Sequence, residues 1–238
     1  MLFSTFTILA LLGASQAKPA PKVLEFDDVL LLREDGDHVV MKKWEYQIQE
    51  DKREVQRRRE ARANIGRAPA MAAKLDKKCE ESTEVQVLTD ENFNDWDVAM
   101  SPVIGNTGSS VATVAVSKGY SIADAVQVSE TVGVTLESVL TASLSLSYTN
   151  TYTTTDTQTF SFNVPNGQYG LVISNPYVHR VTGNVLSGCT DSPTVETFST
   201  SSYTSQTYGD LEWVKGPIVM CNASTYPIPF CVGEGEHQ

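Results

Sequence analysis

The sequence predicts an all-β fold whose long antiparallel strands form an elongated sheet or a sandwich. Every odd-numbered residue from Ser143 to Ser161 is Ser or Thr, while Leu, Tyr, Phe and Val occupy even positions at both ends of this run. A period of two is the period of a β-strand, because successive side chains point to opposite faces. The same phase extends back to Val126, so one face is a ladder of hydroxyls and the other is largely apolar.

The alternating run is too long for a single strand. At about 3.3 Å per residue, roughly forty residues would span about 130 Å, so we expect the chain to reverse direction. The stretches 130–133 and 153–156 are polar enough to form the turns. An ordinary sandwich strand with an exposed, Thr-rich face would produce the same alternation, and this alternative stays open.

The first residues have the pattern of a secretory signal peptide. An apolar run from Leu2 to Gly13 is followed by the small residues of 14–17, and we expect cleavage after Ala17. The run is too short to span a bilayer, and no later segment is apolar enough. The sequence therefore predicts a secreted, extracellular protein with a signal peptide over 1–17.

Charge then divides the chain at Cys79. Residues 18–78 are dense in charge of both signs, whereas residues 79–238 hold only Lys118, Arg180 and Lys215 against seventeen acidic residues. Such a boundary is typical of two folding units. Lys77 and Lys78 end the first segment and form a basic pair of the kind that processing proteases cut. We therefore expect a pro-segment or linker over 18–78 and a mature domain over 79–238.

The pro-segment is predicted to be partly helical. A small hairpin is expected within 23–40, around Asp35-Gly36-Asp37. Residues 44–63 favour a helix, but they are mostly polar and offer no continuous apolar face to a core.

Residues 79–238 are predicted to be almost entirely strand. Pro165-Asn166-Gly167 predicts a hairpin between 159–164 and 169–174. Gly183 and Gly216 lie inside predicted strands, where glycine marks a bulge or a close approach of two backbones.

All four cysteines fall in the second region, and an even count in an exported chain predicts two disulfides. Residues 226–230 contain two prolines and are expected to be stiff and extended, which makes a bridge between Cys221 and Cys231 awkward. We therefore expect Cys189 to pair with Cys221 and Cys79 with Cys231. No cysteine spacing suits a zinc site.

Asn222-Ala223-Ser224 is a sequon for N-glycosylation. It follows Cys221, in what we expect to be a loop running through Pro227 and Pro229. In a secreted chain, we expect Asn222 to carry a glycan.

The sequence contains none of the common catalytic or nucleotide-binding motifs, and we expect no catalytic residue, cofactor or metal site. His179 lies in a predicted strand and is expected to be structural. His237 is expected to lie in a disordered terminal tail. Nucleic acid is excluded as a partner, because so acidic a domain repels phosphate, and anionic membrane surfaces are disfavoured for the same reason.

Seven stretches from Lys22 onwards form a recognisable set: KVLEFDD at 22–28, STEVQVLTD at 82–90, DWDVAMSPV at 95–103, TDTQTF at 155–160, GQYGLVISNP at 167–176, TGNVLSGCTDSPTVET at 182–197 and residues 221–235. In these stretches the chain resembles a family of small, secreted, effector-like proteins of filamentous ascomycete fungi. This resemblance implies secretion and a role at a host or environmental interface, and it transfers no catalytic residue.

A second, local resemblance covers residues 119–183. Hydroxyl-alternating strands followed by TFSFNVPNG are similar to the elongated β-module of aerolysin-like pore-forming proteins, in which a Ser/Thr-rich hairpin lines a barrel. Asn150, Thr154, Asp156 and Gln158 interrupt the apolar face that a transmembrane strand needs, so the fit is partial.

The function we expect is that of a secreted, non-enzymatic, effector-like interaction protein. Its partner would be an extracellular or host protein or a glycan. The alternative is an aerolysin-like protein that perturbs membranes, for which a membrane partner and a homo-oligomer are expected. A secreted hydrolase is the third possibility.

Overall fold

The computed structural model describes seven stretches of the chain: residues 22–33, 35–64, 81–128, 150–155, 160–189, 193–209 and 211–238. Within them nearly all regular structure is β-strand, so the predicted all-β class is confirmed. The sheets are antiparallel apart from one parallel pair. Four parts of the sequence discussed above lie outside these residues: the predicted signal peptide, the basic pair Lys77-Lys78, Cys79 and most of the Ser/Thr alternation.

The described residues form nineteen strands and one helix, which are numbered in chain order. The helix α1 spans Lys43–Asn64. Among the described residues, no helix combines the length and the apolar character needed to cross a membrane. The strands are β1 Lys22–Leu24, β2 Asp28–Leu32, β3 His38–Lys42, β4 Glu81–Asn94, β5 Val98–Ala99, β6 Ile104–Asn106, β7 Ala112–Ala115, β8 Ser121–Ala123, β9 Ala125–Val128, β10 Thr151–Thr153, β11 Phe160–Val164, β12 Gln168–Ser174, β13 Tyr177–Cys189, β14 Thr194–Ser202, β15 Ser205–Tyr208, β16 Leu211–Val214, β17 Pro217–Ala223, β18 Ile228–Pro229 and β19 Glu236–His237.

The central sheet has six strands in the order β3-β2-β17-β12-β5, with β6 also paired to β12. Both of its faces are buried. Val172 and Met220 enter one apolar cluster with Trp213 and the side chains of β11, whereas Leu171 and Ile173 enter a second cluster on the opposite face. Because both faces pack against a core, β12 and β17 are continuous apolar runs rather than alternating ones.

A second, longer sheet has the order β4-β13-β14-β9. The pairing of β13 with β4 shifts register between Thr182 and Gly183. A Cβ on Gly183 would lie 2.1 Å from the carbonyl oxygen of Gln86 and 2.8 Å from the Phe198 ring. Gly216 likewise leaves no room for a Cβ, which would lie 2.5 Å from the Asn175 carbonyl oxygen. The close approaches predicted at both glycines are confirmed.

The described parts of the Ser/Thr alternation have the predicted parity. Phe160, Phe162 and Val164 are buried, whereas Ser161 and Asn163 are only half-buried. In β10 the middle residue is half-buried and its two neighbours are exposed. The remainder of the alternating run lies outside the described residues.

The hairpin predicted after Val164 is wrong, although the turn itself forms. β11 pairs with β1 and β7, whereas β12 pairs with β17, β5 and β6. Asn106 lies between the two strands: its Nδ2 donates to the Val164 carbonyl at 2.9 Å, and its own carbonyl accepts from the Gly167 amide at 2.7 Å. The turn therefore joins two sheets instead of two neighbouring strands.

The N-terminal segment is part of the same fold. The predicted hairpin forms as β2 and β3, and the predicted helix forms as α1. β1 pairs with β11 and β2 pairs with β17, which places Leu24 and Leu30 in the main core. The change of composition at Cys79 therefore does not separate two cores among the described residues. Cleavage near Lys78 stays a prediction.

The predicted disulfide pairing is wrong, because Cys221 is bonded to Cys231. The chain bends over residues 224–227, where the Tyr226–Pro227 peptide is cis, instead of running straight. The Cα atoms of the two cysteines consequently lie 5.8 Å apart. Cys189 is also disulfide-bonded.

Candidate functional site

A broad, open groove of about 1520 Å³ lies between the N-terminal segment and the long sheet. Its walls come from β2, β3 and α1, from β4 and β13, and from β14, β15 and the two residues that follow β16. The side chains and backbone that line it are those of Leu31, Leu32, Arg33, Asp35, Val39, Met41, Gln49, Arg53, Asn92, Asp124, Asn150, Tyr177, His179, Ser202, Tyr203, Thr204, Gln206, Lys215 and Gly216. The lining is about half polar and half apolar, and most of the apolar side chains belong to β2 and β3.

One wall is held by a hydrogen-bonded network that ties α1 to the long sheet. The hydroxyls of Tyr46 and Tyr177 lie 3.1 Å apart, and Tyr177 donates to Glu50 at 3.1 Å. Arg53 donates to Glu50 at 3.0 Å and also to the Tyr177 hydroxyl. Asn94 Nδ2 donates to Tyr46 at 3.0 Å. Burial raises the pKa of both tyrosines above the ordinary value, so both phenols stay neutral.

The opposite wall is anchored on Asp124. Its Oδ1 accepts from the backbone amide of Tyr203 at 2.9 Å, and its Oδ2 accepts from Asn150 Nδ2 at 3.0 Å. The Tyr203 hydroxyl donates to Asp95 at 3.1 Å, and Arg180 forms an ion pair with the same carboxylate oxygen. Burial, together with the negative charge of Asp95, raises the pKa of Tyr203.

Gln206 lies where β15 borders the groove. Its side chain is buried, with 5% exposure, and its Oε1 is one of the buried polar atoms that have no hydrogen-bond partner in the described part of the chain. The cross-strand partner of Gln206 is Trp213, whose Nε1 is likewise buried and unpaired. A buried acceptor without a partner costs about 1–3 kcal/mol, so this position is an unusual place for an amide side chain.

Charges of both signs line the groove. Arg33, Arg53 and Lys215 supply positive charge, and Asp35 and Asp124 supply negative charge. Both carboxylates also accept hydrogen bonds that hold their own surroundings, at 3.1 Å for Asp35 and at 2.9 and 3.0 Å for Asp124. The groove therefore presents donors and acceptors together rather than a surface of one sign.

His179 lies in a strand, β13, as the sequence predicts, and its structural role stays a prediction. Its Nε2 lies 2.7 Å from Asp90 Oδ1, across the pairing of β13 with β4. The imidazole also borders the groove, and there it is paired with Asp90 of the neighbouring strand.

His237 is not in a disordered tail, and that prediction is wrong. It lies in β19, which pairs with β18, and its side chain is buried against the Phe230 ring. Its Nε2 lies 3.3 Å from Asp97. The sequence contained no signal for this contact, because Asp97 is 140 residues away along the chain.

Asp97 holds the C-terminal segment in place. Its carboxylate, which is fully buried, accepts from the Cys231 amide at 2.6 Å, from the Val232 amide at 3.0 Å and from Asn175 Nδ2 at 2.7 Å. Asp97 and the two sulfurs of the disulfide lie within 4.8 Å of one another. This group is not a metal site, because disulfide sulfurs are not thiolates.

The sites predicted from the sequence are not brought together. Asn222 lies in β17 rather than in a loop, and its side-chain amide donates to Gln168. Cys221 precedes it in β17 and is bonded to Cys231 in the C-terminal segment, whereas Cys189 ends β13. Lys77, Lys78 and Cys79 lie outside the described residues. Glycosylation at Asn222 stays a prediction.

Sequence reasoning missed the groove because its lining comes from at least six separate stretches of chain. None of these residues forms a motif with its neighbours in sequence, and Gln206 lies in an unremarkable run of Ser, Thr and Tyr. The comparisons add no relative to guide the assignment: no protein-family model, no curated protein and no solved structure matches this chain.

Proposed function

We propose that this chain is a secreted, non-enzymatic, effector-like interaction protein, which acts outside the producing cell or on a host, and that it takes its partner in the groove. The observation that supports this proposal is the size and construction of the groove. Its volume of about 1520 Å³ exceeds the roughly 300–1,000 Å³ typical of small-molecule pockets. Its two walls are held by networks centred on Tyr177 and Asp124, so the binding surface is formed before a partner arrives.

The side chains of the groove support binding better than catalysis. A hydrolase needs a carboxylate or another base within reach of a substrate proton. Asp124 uses both of its oxygens to hold the wall, and His179 is paired with Asp90. These groups therefore position the groove, and a secreted hydrolase remains the weakest of the three candidate functions.

The test is capture of a partner by the intact secreted protein, compared between two variants. Thr204→Trp introduces a bulky side chain at an exposed position of the groove wall, whereas Thr207→Trp introduces the same side chain at an exposed position of β15 outside the lining. We expect the Thr204→Trp protein to lose the partners that the native protein and the Thr207→Trp protein retain from host extracellular fluid. Equal capture by all three proteins would refute the groove as the binding surface.

One observation favours the second candidate, an aerolysin-like protein that perturbs membranes. β8 and β10 flank a segment of the chain that includes β9, and these two flanking strands pair with each other. The Asp124 amide, directly after β8, donates to the Asn150 carbonyl, directly before β10, at 2.9 Å. This bond joins the two ends of the segment. Val126 and Val128 of β9 pack with Phe198 of the long sheet. Among the described residues of this segment, β9 is held by its pairing with β14 and by this small apolar cluster, and a strand held in this way is suited to release.

Vesicle leakage tests the second candidate. Gln127 and Ser199 are cross-strand partners in β9 and β14. A disulfide between Gln127→Cys and Ser199→Cys would therefore fix β9 to the long sheet. If the protein forms pores, oxidised variant should release no dye and reduction should restore release, with oligomers on the lipid. If the protein binds partners without entering membranes, vesicles stay sealed at neutral and at mildly acidic pH, whichever redox state the variant has.

A further inference from the structure

We propose that the outer edge of β4 binds an extended, basic segment of a partner protein, which adds to the long sheet as a further strand. This interaction surface goes beyond the groove of the proposed function, because residues 83–88 of β4 do not line the groove. Three observations carry the inference: the length of the edge, the exposed apolar side chains along it, and the charge of the sheet around it.

β4 is an unusually long edge strand. It spans fourteen residues, whereas strands of about five or six residues are the most common. It stands first in the order β4-β13-β14-β9, and β13 is the only strand of the described residues that pairs with it. A row of backbone N–H and C=O groups along β4 therefore points away from the sheet, and such a row is a template for another extended chain.

The apolar face of the long sheet continues to this edge and ends there in contact with solvent. Val185 and Phe198 are buried on that face. β4 places Val85 opposite Val185 and Val87 opposite Gly183, so both valines of β4 belong to the same face. Val87 is nevertheless 47% exposed, since none of the described strands lies beyond it. An apolar side chain on an added strand would cover it.

The other face of β4 carries negative charge. Glu84 pairs with Leu186, one position along from the pair formed by Val85, so its side chain lies on the opposite face. Glu84 is exposed and has no ion-pair partner within the described ranges. The surrounding half of the long sheet, formed by 81–88, 183–189 and 194–198, contains three glutamates but no Lys or Arg. A Lys or Arg on a neighbouring strand would be attracted to this face, because opposite charges on adjacent strands stabilise the pairing.

The two faces together determine the pattern of the partner segment. Side chains alternate between the faces of a strand, so the segment would place β-branched apolar residues beside Val85 and Val87 and basic residues beside Glu84. A second copy of β4 lacks this pattern. β4 contains four acidic residues and no Lys or Arg, so the pairing of two copies would bring only negative charges together.

The probe is a nine-residue peptide in which Lys and Val alternate, titrated into the intact protein. The same peptide methylated at every backbone nitrogen keeps its charge but cannot donate the main-chain bonds of an added strand. We expect the unmodified peptide to bind, and the methylated peptide to bind at least about tenfold more weakly. Binding should also slow amide hydrogen exchange within residues 81–94.

Val87→Lys tests the edge from the side of the protein. The variant places a positive charge in the middle of the edge, where it repels a basic segment. Val111→Lys is the matched control, because Val111 is 72% exposed, lies outside β4 and gives the same change in net charge. We expect Val87→Lys to weaken binding about tenfold and Val111→Lys to leave it unchanged. Thermal midpoints of both variants check that the fold is kept.

The outcomes separate failure of this inference from failure of the proposed function. The inference is overturned if the alternating peptide does not bind, if the methylated peptide binds as tightly, or if the two Lys variants bind equally. Self-association of the native protein that Val87→Lys abolishes would show that β4 pairs with a second copy, and it would also overturn the inference. None of these outcomes bears on the groove, which is tested by the Thr204→Trp and Thr207→Trp proteins.

Discussion

The carboxylate of Asp97 accepts a 2.6 Å hydrogen bond from the backbone amide of Cys231, and so ties the short connection between β4 and β5 to the C-terminal disulfide. The same carboxylate contacts His237, so one buried side chain bonds to the C-terminal segment at two separate places. His237, next to the C-terminus, is accordingly buried in the fold.

We expect Asp97→Asn to destabilise the protein. The Cys231 amide donates to Oδ2 of Asp97 and the Val232 amide to Oδ1. Asparagine keeps only one of these oxygens, so its NH2 group would face one of the two buried backbone donors, and about 2–4 kcal/mol of the free energy of unfolding would be lost. Urea unfolding of the intact protein measures the change. Asp51→Asn, at an exposed position of α1, is the control and should change little. Equal stability of the two variants would contradict the role of Asp97.

Leu30→Ala tests whether the N-terminal segment belongs to the core. Leu30 is fully buried in the main apolar cluster, although it precedes the predicted processing site. Truncating such a side chain costs about 2–5 kcal/mol. Leu88→Ala is the matched control, because Leu88 is 65% exposed on β4, and it should cost much less. If the two variants unfold at the same denaturant concentration, the segment does not pack as described.

A cut near Lys78 should not release the N-terminal segment. β1 stays paired with β11 and β2 with β17, and their apolar side chains would have to enter water if the segment left. We expect the two pieces to elute as one particle in size-exclusion chromatography and to separate only in denaturant. N-terminal sequencing of that peak should give two sequences, and a single mature sequence in native buffer would refute this expectation.

Gly183→Ala should destabilise the long sheet. The added Cβ would lie 2.1 Å from the Gln86 carbonyl oxygen, which the strand pairing holds in place. Overpacking of this kind costs about 1–3 kcal/mol, measurable as a lower thermal midpoint. Gly108→Ala is the control, since the nearest atom to its Cβ would be 3.9 Å away. A Gly183→Ala protein as stable as Gly108→Ala would show that the strands can separate without cost.

Stability should fall steeply at alkaline pH. Burial raises the pKa of Tyr46 above its ordinary value of 10.0. The unfolded chain therefore loses this proton at lower pH than the folded protein does, and the stabilisation is complete below pH 10 and lost as pH rises above it. Thermal midpoints between pH 8 and pH 11 measure the slope. Tyr46→Phe should flatten it, whereas Tyr226→Phe, at an exposed position, should leave it unchanged.

The amino-acid sequence by itself determined the fold class and several local elements. Three features follow from the conformational preferences of residues that are close together in sequence. They are the strand period, the β2–β3 hairpin at Asp35-Gly36 and the helix over 43–64. The close approaches at Gly183 and Gly216 were also predictable, because a glycine inside a predicted strand has few explanations other than a bulge or a close approach, although Gly216 lies between β16 and β17.

Only the tertiary structure decided how these elements meet. The turn after Val164 joins two sheets because Asn106, from a distant strand, satisfies the groups that a hairpin partner would have used. Near the Cys221–Cys231 bridge, Asp97 likewise contacts the Cys231 amide and His237, which are far from it in the chain. The groove is assembled from stretches far apart in the chain, and no local preference encodes contacts between them. Its chemistry depends on which side chains the folded sheets bring to one place.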